Sequence, residues 1–216
     1  MQQNIITDLE AQLPVVGSIP GSGVSSAPAQ IAQELAAWSG KTETDPTMRP
    51  RLSAMWENIN YGNWTPATAW SSAFVSWVLR GSGFPGSSAH RKYTEAIISG
   101  EAPGWRAYSI PKNLAKVKLE PGDVLVRSRG SATPSDPTGD YWKSHGGVVY
   151  RLANGRAEIV GGNMSGTVKV ESRLPVDSAG RPTAGLGNYQ VILKRTKKNW
   201  LVPLAMISLG AWWVMR

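Results

Sequence analysis

Apolar positions in the first half of the chain recur at helical spacing from about Ala29 onward. Ile31, Leu35 and Trp38 form one stripe, which Gly40 ends. Leu52, Met55, Trp56 and Ile59 predict a second helix over roughly Arg51 to Asn60. A third is expected to open at Thr65-Pro66, because Thr caps a helix N-terminus and Pro suits the first helical position, where no backbone donor is needed. It carries Trp70, Phe74, Trp77 and Val78 and stops at Gly81-Ser82-Gly83, and a fourth helix is expected over Ser88 to Ile98.

After residue 120 the pattern shortens. Pro121-Gly122-Asp123 leads into Val124-Leu125-Val126, and Gly147 to Leu152 is an apolar, β-branched run. Asn154-Gly155 is a type I′ hairpin signal, since both central residues of that turn need positive φ. Arg156 to Val160 forms the returning strand, and further strands are expected at Thr167–Val170 and Tyr189–Lys194. Helices followed by an antiparallel sheet define an α+β domain. The segment from Arg129 to Tyr141, rich in Ser, Pro, Gly and Asp, fits either a lid or a variable surface loop.

Three regions follow: a flexible N-terminal arm over 1–28, a globular domain over 29–196, and a C-terminal hydrophobic helix over 197–216. The chain opens with no cationic n-region and no apolar core, so no secretory signal peptide is expected. The run 200–215 holds no charge, is preceded by Lys194, Arg195, Lys197 and Lys198, and has Trp at both ends. As a helix it would be about 24 Å long against a hydrocarbon core of about 30 Å. Snorkelling cations and interfacial Trp would make up the difference, so a bilayer anchor is expected, with a core helix docked on the domain as the alternative. Four cations before the run favour a cytoplasmic main domain on a virion or bacterial inner membrane.

Composition removes several chemistries. The 216 residues include no Cys, which excludes disulfides, thiolate metal sites and a cysteine nucleophile. Two histidines, His90 and His145, are too few for a three-histidine metal centre, and neither metal nor cofactor is expected. The net charge of +8 suits an anionic partner such as a bacterial wall or anionic lipid. The basic residues are scattered and carry no nucleic-acid signature, so no nucleic acid is expected.

Three segments carry the candidate chemistry: Ala69-Trp70-Ser71-Ser72-Ala73-Phe74 at a helix start, Ser144-His145-Gly146-Gly147 entering a strand, and Ile159-Val160-Gly161-Gly162-Asn163 ending the next. In this order, with Pro121-Gly122-Asp123 between the first two and Ala89-His90 followed by Tyr93 after the helix, they resemble the NlpC-type and CHAP papain-like hydrolases. The likeness spans roughly residues 30–195 and is greatest to an allied domain of unknown function with Trp-Ser at the helix start. It implies helices packed on an antiparallel sheet in an NlpC/CHAP-type fold. It further implies Ser71 at the position of the family cysteine, His145 as base and Asn163 orienting the imidazole, with Trp70, His90 and Gly162 as substrate contacts.

A helix N-terminus would stabilise an oxyanion at Ser71. Ser cannot be pre-ionised as Cys can, so it must pass its proton to a histidine during attack. Each residue also has a plain structural role open to it: Ser71 in a first turn, His145 packed at a strand start, Asn163 in a turn that tolerates positive φ, His90 capping a pocket, Trp70 in the core. The expected function is hydrolysis of a peptide or amide bond in peptidoglycan; the alternative is a non-catalytic, wall-binding or structural protein of the same fold. A phage virion component with virion or envelope partners would suit either.

Overall fold

The computed structural model describes residues 26–109, 117–129, 143–184, 186 and 189–196. Residues 1–25 of the expected arm, most of the expected lid and the uncharged run 200–215 lie outside the described residues. The helices are α1 (Ala27–Ala37), α2 (Arg49–Glu57), α3 (Ser71–Val78) and α4 (His90–Ile98), with a short 3₁₀ turn at Pro46–Met48. The strands are β1 (Trp105–Ser109), β2 (Val124–Ser128), β3 (Ser144–Ala153), β4 (Arg156–Gly161), β5 (Lys169–Pro175) and β6 (Tyr189–Arg195). They form one antiparallel sheet in the order β1-β6-β2-β3-β4-β5, so the domain is α+β. No described helix is long and apolar enough to cross a membrane.

Strand alternation divides the core in two. Val124, Val126, Val148, Val160, Val191 and Leu193 face the helices, packed with Trp38, Trp56, Trp70 and Phe74. Their neighbours Leu125, Val149, Ile159 and Ile192 point the other way, onto Leu119, Leu174 and Leu186. Both faces are covered, which accounts for strands that read as apolar runs rather than alternating ones.

Three expectations change. Helix α3 starts at Ser71, six residues after Thr65; Thr65 instead closes a tight turn with Thr68, whose hydroxyl accepts from the Thr65 N–H at 2.8 Å. Helix α1 begins at Ala27, so residues 27–28 belong to the domain and not to the arm. Strand β1 pairs with β6 along an edge that was not anticipated. The Asn154-Gly155 hairpin is as expected, with φ of 52° and 68°.

Buried polar groups tie the helices together. The Glu34 carboxylate on α1 accepts from Arg51 at 2.9 Å, Trp77 Nε1 at 2.8 Å and Trp38 Nε1 at 3.2 Å, so α1, α2 and α3 share one acceptor. Trp38 stacks on Trp70 with ring centroids 4.6 Å apart, worth about 1 kcal/mol beyond the area it buries. These contacts fix the residue just before Ser71.

Candidate functional site

Two helix N-termini meet above the sheet. Ser71 is the first residue of α3 and His90 the first residue of α4. Helix α3 holds the start of α4 through the Ser87 carbonyl, which accepts from Ser72 Oγ at 2.7 Å. Across this junction Ser71 Oγ lies 2.7 Å from His90 Nε2, and both residues are buried. The Gly146 N–H also donates to His90 Nε2, at 3.3 Å, so this nitrogen carries a lone pair. The proton of His90 is then on Nδ1 and is donated to the Tyr93 hydroxyl. The network thus fixes the tautomer: Ser71 O–H donates to Nε2, and Nδ1–H donates to Tyr93.

Burial holds His90 well below its ordinary range, with His145 and Arg129 lowering it further. Its place at a helix N-terminus acts in the same direction, because that end disfavours a cation. Burial likewise raises the Tyr93 hydroxyl, and the Glu171 charge adds to this. The triplet is therefore neutral at rest.

His145 belongs to a different set. It sits opposite Arg127 across the β2–β3 ladder, on the face turned away from the helices. Its Nε2 lies 2.6 Å from Glu171 Oε2 and its Nδ1 3.3 Å from Arg129 Nη2. A carboxylate only accepts and a guanidinium only donates, so Nε2 carries the proton and Nδ1 the lone pair. Glu171 also accepts from Tyr189 Oη at 2.9 Å and pairs with Arg127 at 3.5 Å. Burial pushes Glu171 up, but His145, Arg127 and Tyr189 outweigh it and hold the carboxyl below its usual range. The His90 and His145 ring centroids are 5.4 Å apart.

A β-bulge supplies Glu171. Val170 pairs with Val160 and Ser172 with Ile159, which leaves Glu171 as the extra residue between them. The bulge turns its carboxylate onto the outer face over Gly147, where an added Cβ would lie 2.4 Å from Glu171 Oε1. Only glycine at 147 leaves room for the acid.

The expected site residues thus fall into separate places. Ser71 is joined to His90, while His145 is joined to Glu171 and not to Ser71. Asn163 follows β4 with φ 57° and lines a cavity of about 380 Å³ together with Arg127, Ser128, Arg129, His145, Met164 and Ser165. Trp70 is core, 1% exposed, with Nε1 donating to Glu43 at 2.5 Å. Gly162 lies beneath α3, where a Cβ would come within 2.5 Å of Phe74 Cβ. Tyr93, Glu171, Arg127 and Arg129 were missed as site residues. Tyr93 alone had a signal, its spacing of three from His90 on one helix face. Among the described residues no group of acidic and histidine side chains is placed to hold a metal ion.

No curated protein and no solved structure matches the chain. A family model described as an uncharacterized protein conserved in bacteria, DUF2272, matches residues 29–206, most of the chain and all of the site just described. The chain belongs to that family.

Proposed function

We propose that the protein hydrolyses a peptide or amide bond in bacterial cell-wall peptidoglycan, with Ser71 as nucleophile and His90 as its base. The observation that carries this reading is the 2.7 Å contact between Ser71 Oγ and His90 Nε2 at the opening of α3. A nucleophile within reach of a base, with the base held by a third group, is the arrangement that acyl transfer needs. Ser71 Oγ attacks the carbonyl carbon while its proton passes to Nε2. The first-turn N–H groups of α3, which lack helical partners, stabilise the oxyanion. The imidazolium then gives its proton to the leaving amine, and water repeats the sequence to release the acid. Tyr93 keeps the ring oriented throughout.

An antiparallel sheet beneath a helix that opens on the nucleophile supports an NlpC/CHAP-type fold, with Glu171 rather than Asn163 on the His145 imidazole. The net charge of +8 supports an anionic wall as partner. The uncharged run 200–215 supports anchorage in a virion or inner membrane. The second reading, a non-catalytic wall-binding protein, is favoured by the burial of the pair: Ser71 is 3% and His90 4% exposed.

The test is release of amino groups from purified peptidoglycan. Ser71→Ala and His90→Ala should each lower the rate by about 10²–10⁴, and Ser71→Cys should retain or raise it. Wild-type rates in Ser71→Ala would overturn the reading. Loss in His145→Ala with retention in His90→Ala would move the base to His145. No release by any form would favour the wall-binding protein.

A further inference from the structure

The cavity beside His145 has no role in the chemistry just proposed, and its lining is unusual for a surface hollow. It contains two arginines and no acid. Arg127 is committed, because Glu171 takes its charge and Tyr189 lies under its guanidinium. Arg129 is not. It is exposed, its side-chain contact among the described residues is His145 Nδ1, and no described carboxylate pairs with it. An imidazole nitrogen satisfies one of the five N–H donors of a guanidinium and none of its charge.

The opposite wall is held in a costly shape. Asn163 and Ser165 have φ of 57° and 60°, two non-glycine residues in the left-handed region of one turn. Such backbone persists where its surroundings fix it, and it clusters at ligand sites. The Met164 N–H bonds the Thr167 carbonyl at 2.9 Å, closing that turn. Polar side chains at 163 and 165 therefore line the wall of the cavity that holds Arg129.

We infer that this cavity binds a carboxylate of a peptide ligand, held by Arg129 with Asn163 and Ser165 opposite. A guanidinium with no carboxylate partner among the described residues matches one negative charge, and its planar fork matches a carboxylate. The ligand's arrival draws Arg129 off His145 Nδ1, so the imidazole lone pair becomes free on the side facing the ligand. His145 lies 5.4 Å from His90, ring to ring, so the cavity and the Ser71–His90 pair are linked through the two imidazoles. The inference rests on the hydrolase reading only in taking the ligand to be a wall peptide. Its test reads binding and not turnover.

The probes are N-acetyl-dialanine with a free carboxylate, the same peptide as its carboxamide, and inorganic phosphate, each titrated into full-length Ser71→Ala protein. The chain has two histidines, so their ring resonances report the two imidazoles separately. The carboxylate peptide should bind at least about tenfold tighter than the carboxamide, since a charge-assisted contact is at stake. It should move the His145 signals more than those of His90. Arg129→Gln, a change at an exposed position, should remove that preference, and Arg129→Lys should keep part of it. Equal affinity for the two peptides, binding of neither, tighter binding of phosphate, or no effect of Arg129→Gln would each overturn the inference. Carboxylate binding by a protein that releases nothing from peptidoglycan would sink the hydrolase and leave the binding site standing.

Discussion

The two imidazoles of this domain sit 5.4 Å apart and do different things. His90 is enclosed by uncharged partners: a serine hydroxyl, a tyrosine hydroxyl and a backbone N–H. His145 is enclosed by charged ones: Glu171 on one nitrogen and Arg129 on the other. Their hydrogen-bond polarities are opposite. The nitrogen that accepts on His90 is Nε2, and on His145 it is Nδ1. A histidine's chemistry is set by what its neighbours can donate or accept, and one strand passing between helix and sheet is enough to reverse it.

The largest expected effect breaks the charged side. Glu171→Gln strips the acid from a buried ion pair and leaves Arg127 uncompensated, which should lower stability by about 3 kcal/mol in urea unfolding. The His90 resonances should move less than those of His145, because their hydrogen-bond partners lie on the other face. If they shift as far as those of His145, the two sets are one network and the contrast fails.

A smaller effect breaks the neutral side. Tyr93→Phe leaves the buried His90 Nδ1–H without an acceptor and should cost about 1–3 kcal/mol. If His90 is the base, kcat falls and KM does not, because the ring loses its orientation while the substrate contacts remain.

The smallest is a pH dependence. Burial lowers His90, so below about 6.5 the unfolded chain takes up a proton that the folded one refuses. Stability is full above that value and falls with decreasing pH, by up to about 1.4 kcal/mol per pH unit. Asp123 acts the other way. Burial raises it to about 6 despite its contact with Lys194, so the folded state gains between pH 6 and its ordinary value of 3.8. Denaturation midpoints should therefore hold above about pH 6.5, drop below it, and flatten below about pH 6. His90→Gln should remove the drop, and a drop that survives it would assign the effect elsewhere.

Local chemistry made much of the fold legible in the sequence. Asn154-Gly155 marks its hairpin because few other residue pairs accept two positive φ values in succession. The stripe Leu52, Met55, Trp56 shows α2 because helical spacing puts all three into the core. Thr65-Pro66 misleads because the same residue types serve tight turns as well as helix starts. Strand β1 was missed since its ladder partner lies some ninety residues further on, a distance local pattern does not cover.

The site was legible only in part. Ser71, His145 and the flanking glycines stand out as a motif, but their partners do not. In Lys169-Val170-Glu171-Ser172-Arg173 the acid reads as one more solvated strand residue. Its burial follows from a register shift created by pairing with β4, which the sequence of β5 alone does not announce. Likewise nothing in the segment around residue 90 shows that a second helix N-terminus will arrive there, bringing Ser71 to its imidazole.

The bulge at Glu171 also sets ladder regularity against the site. An in-frame deletion of that single codon would let Val170 and Ser172 pair with Val160 and Ile159 in an unbroken ladder, and β5 would become a more regular strand. The same deletion would remove the Glu171 carboxylate from His145 and leave Arg127 and Tyr189 facing an empty slot above Gly147. The regular ladder would not offset the half-buried Arg127 and the buried His145 left without their acid, so a variant library scored on folding would already select against this deletion.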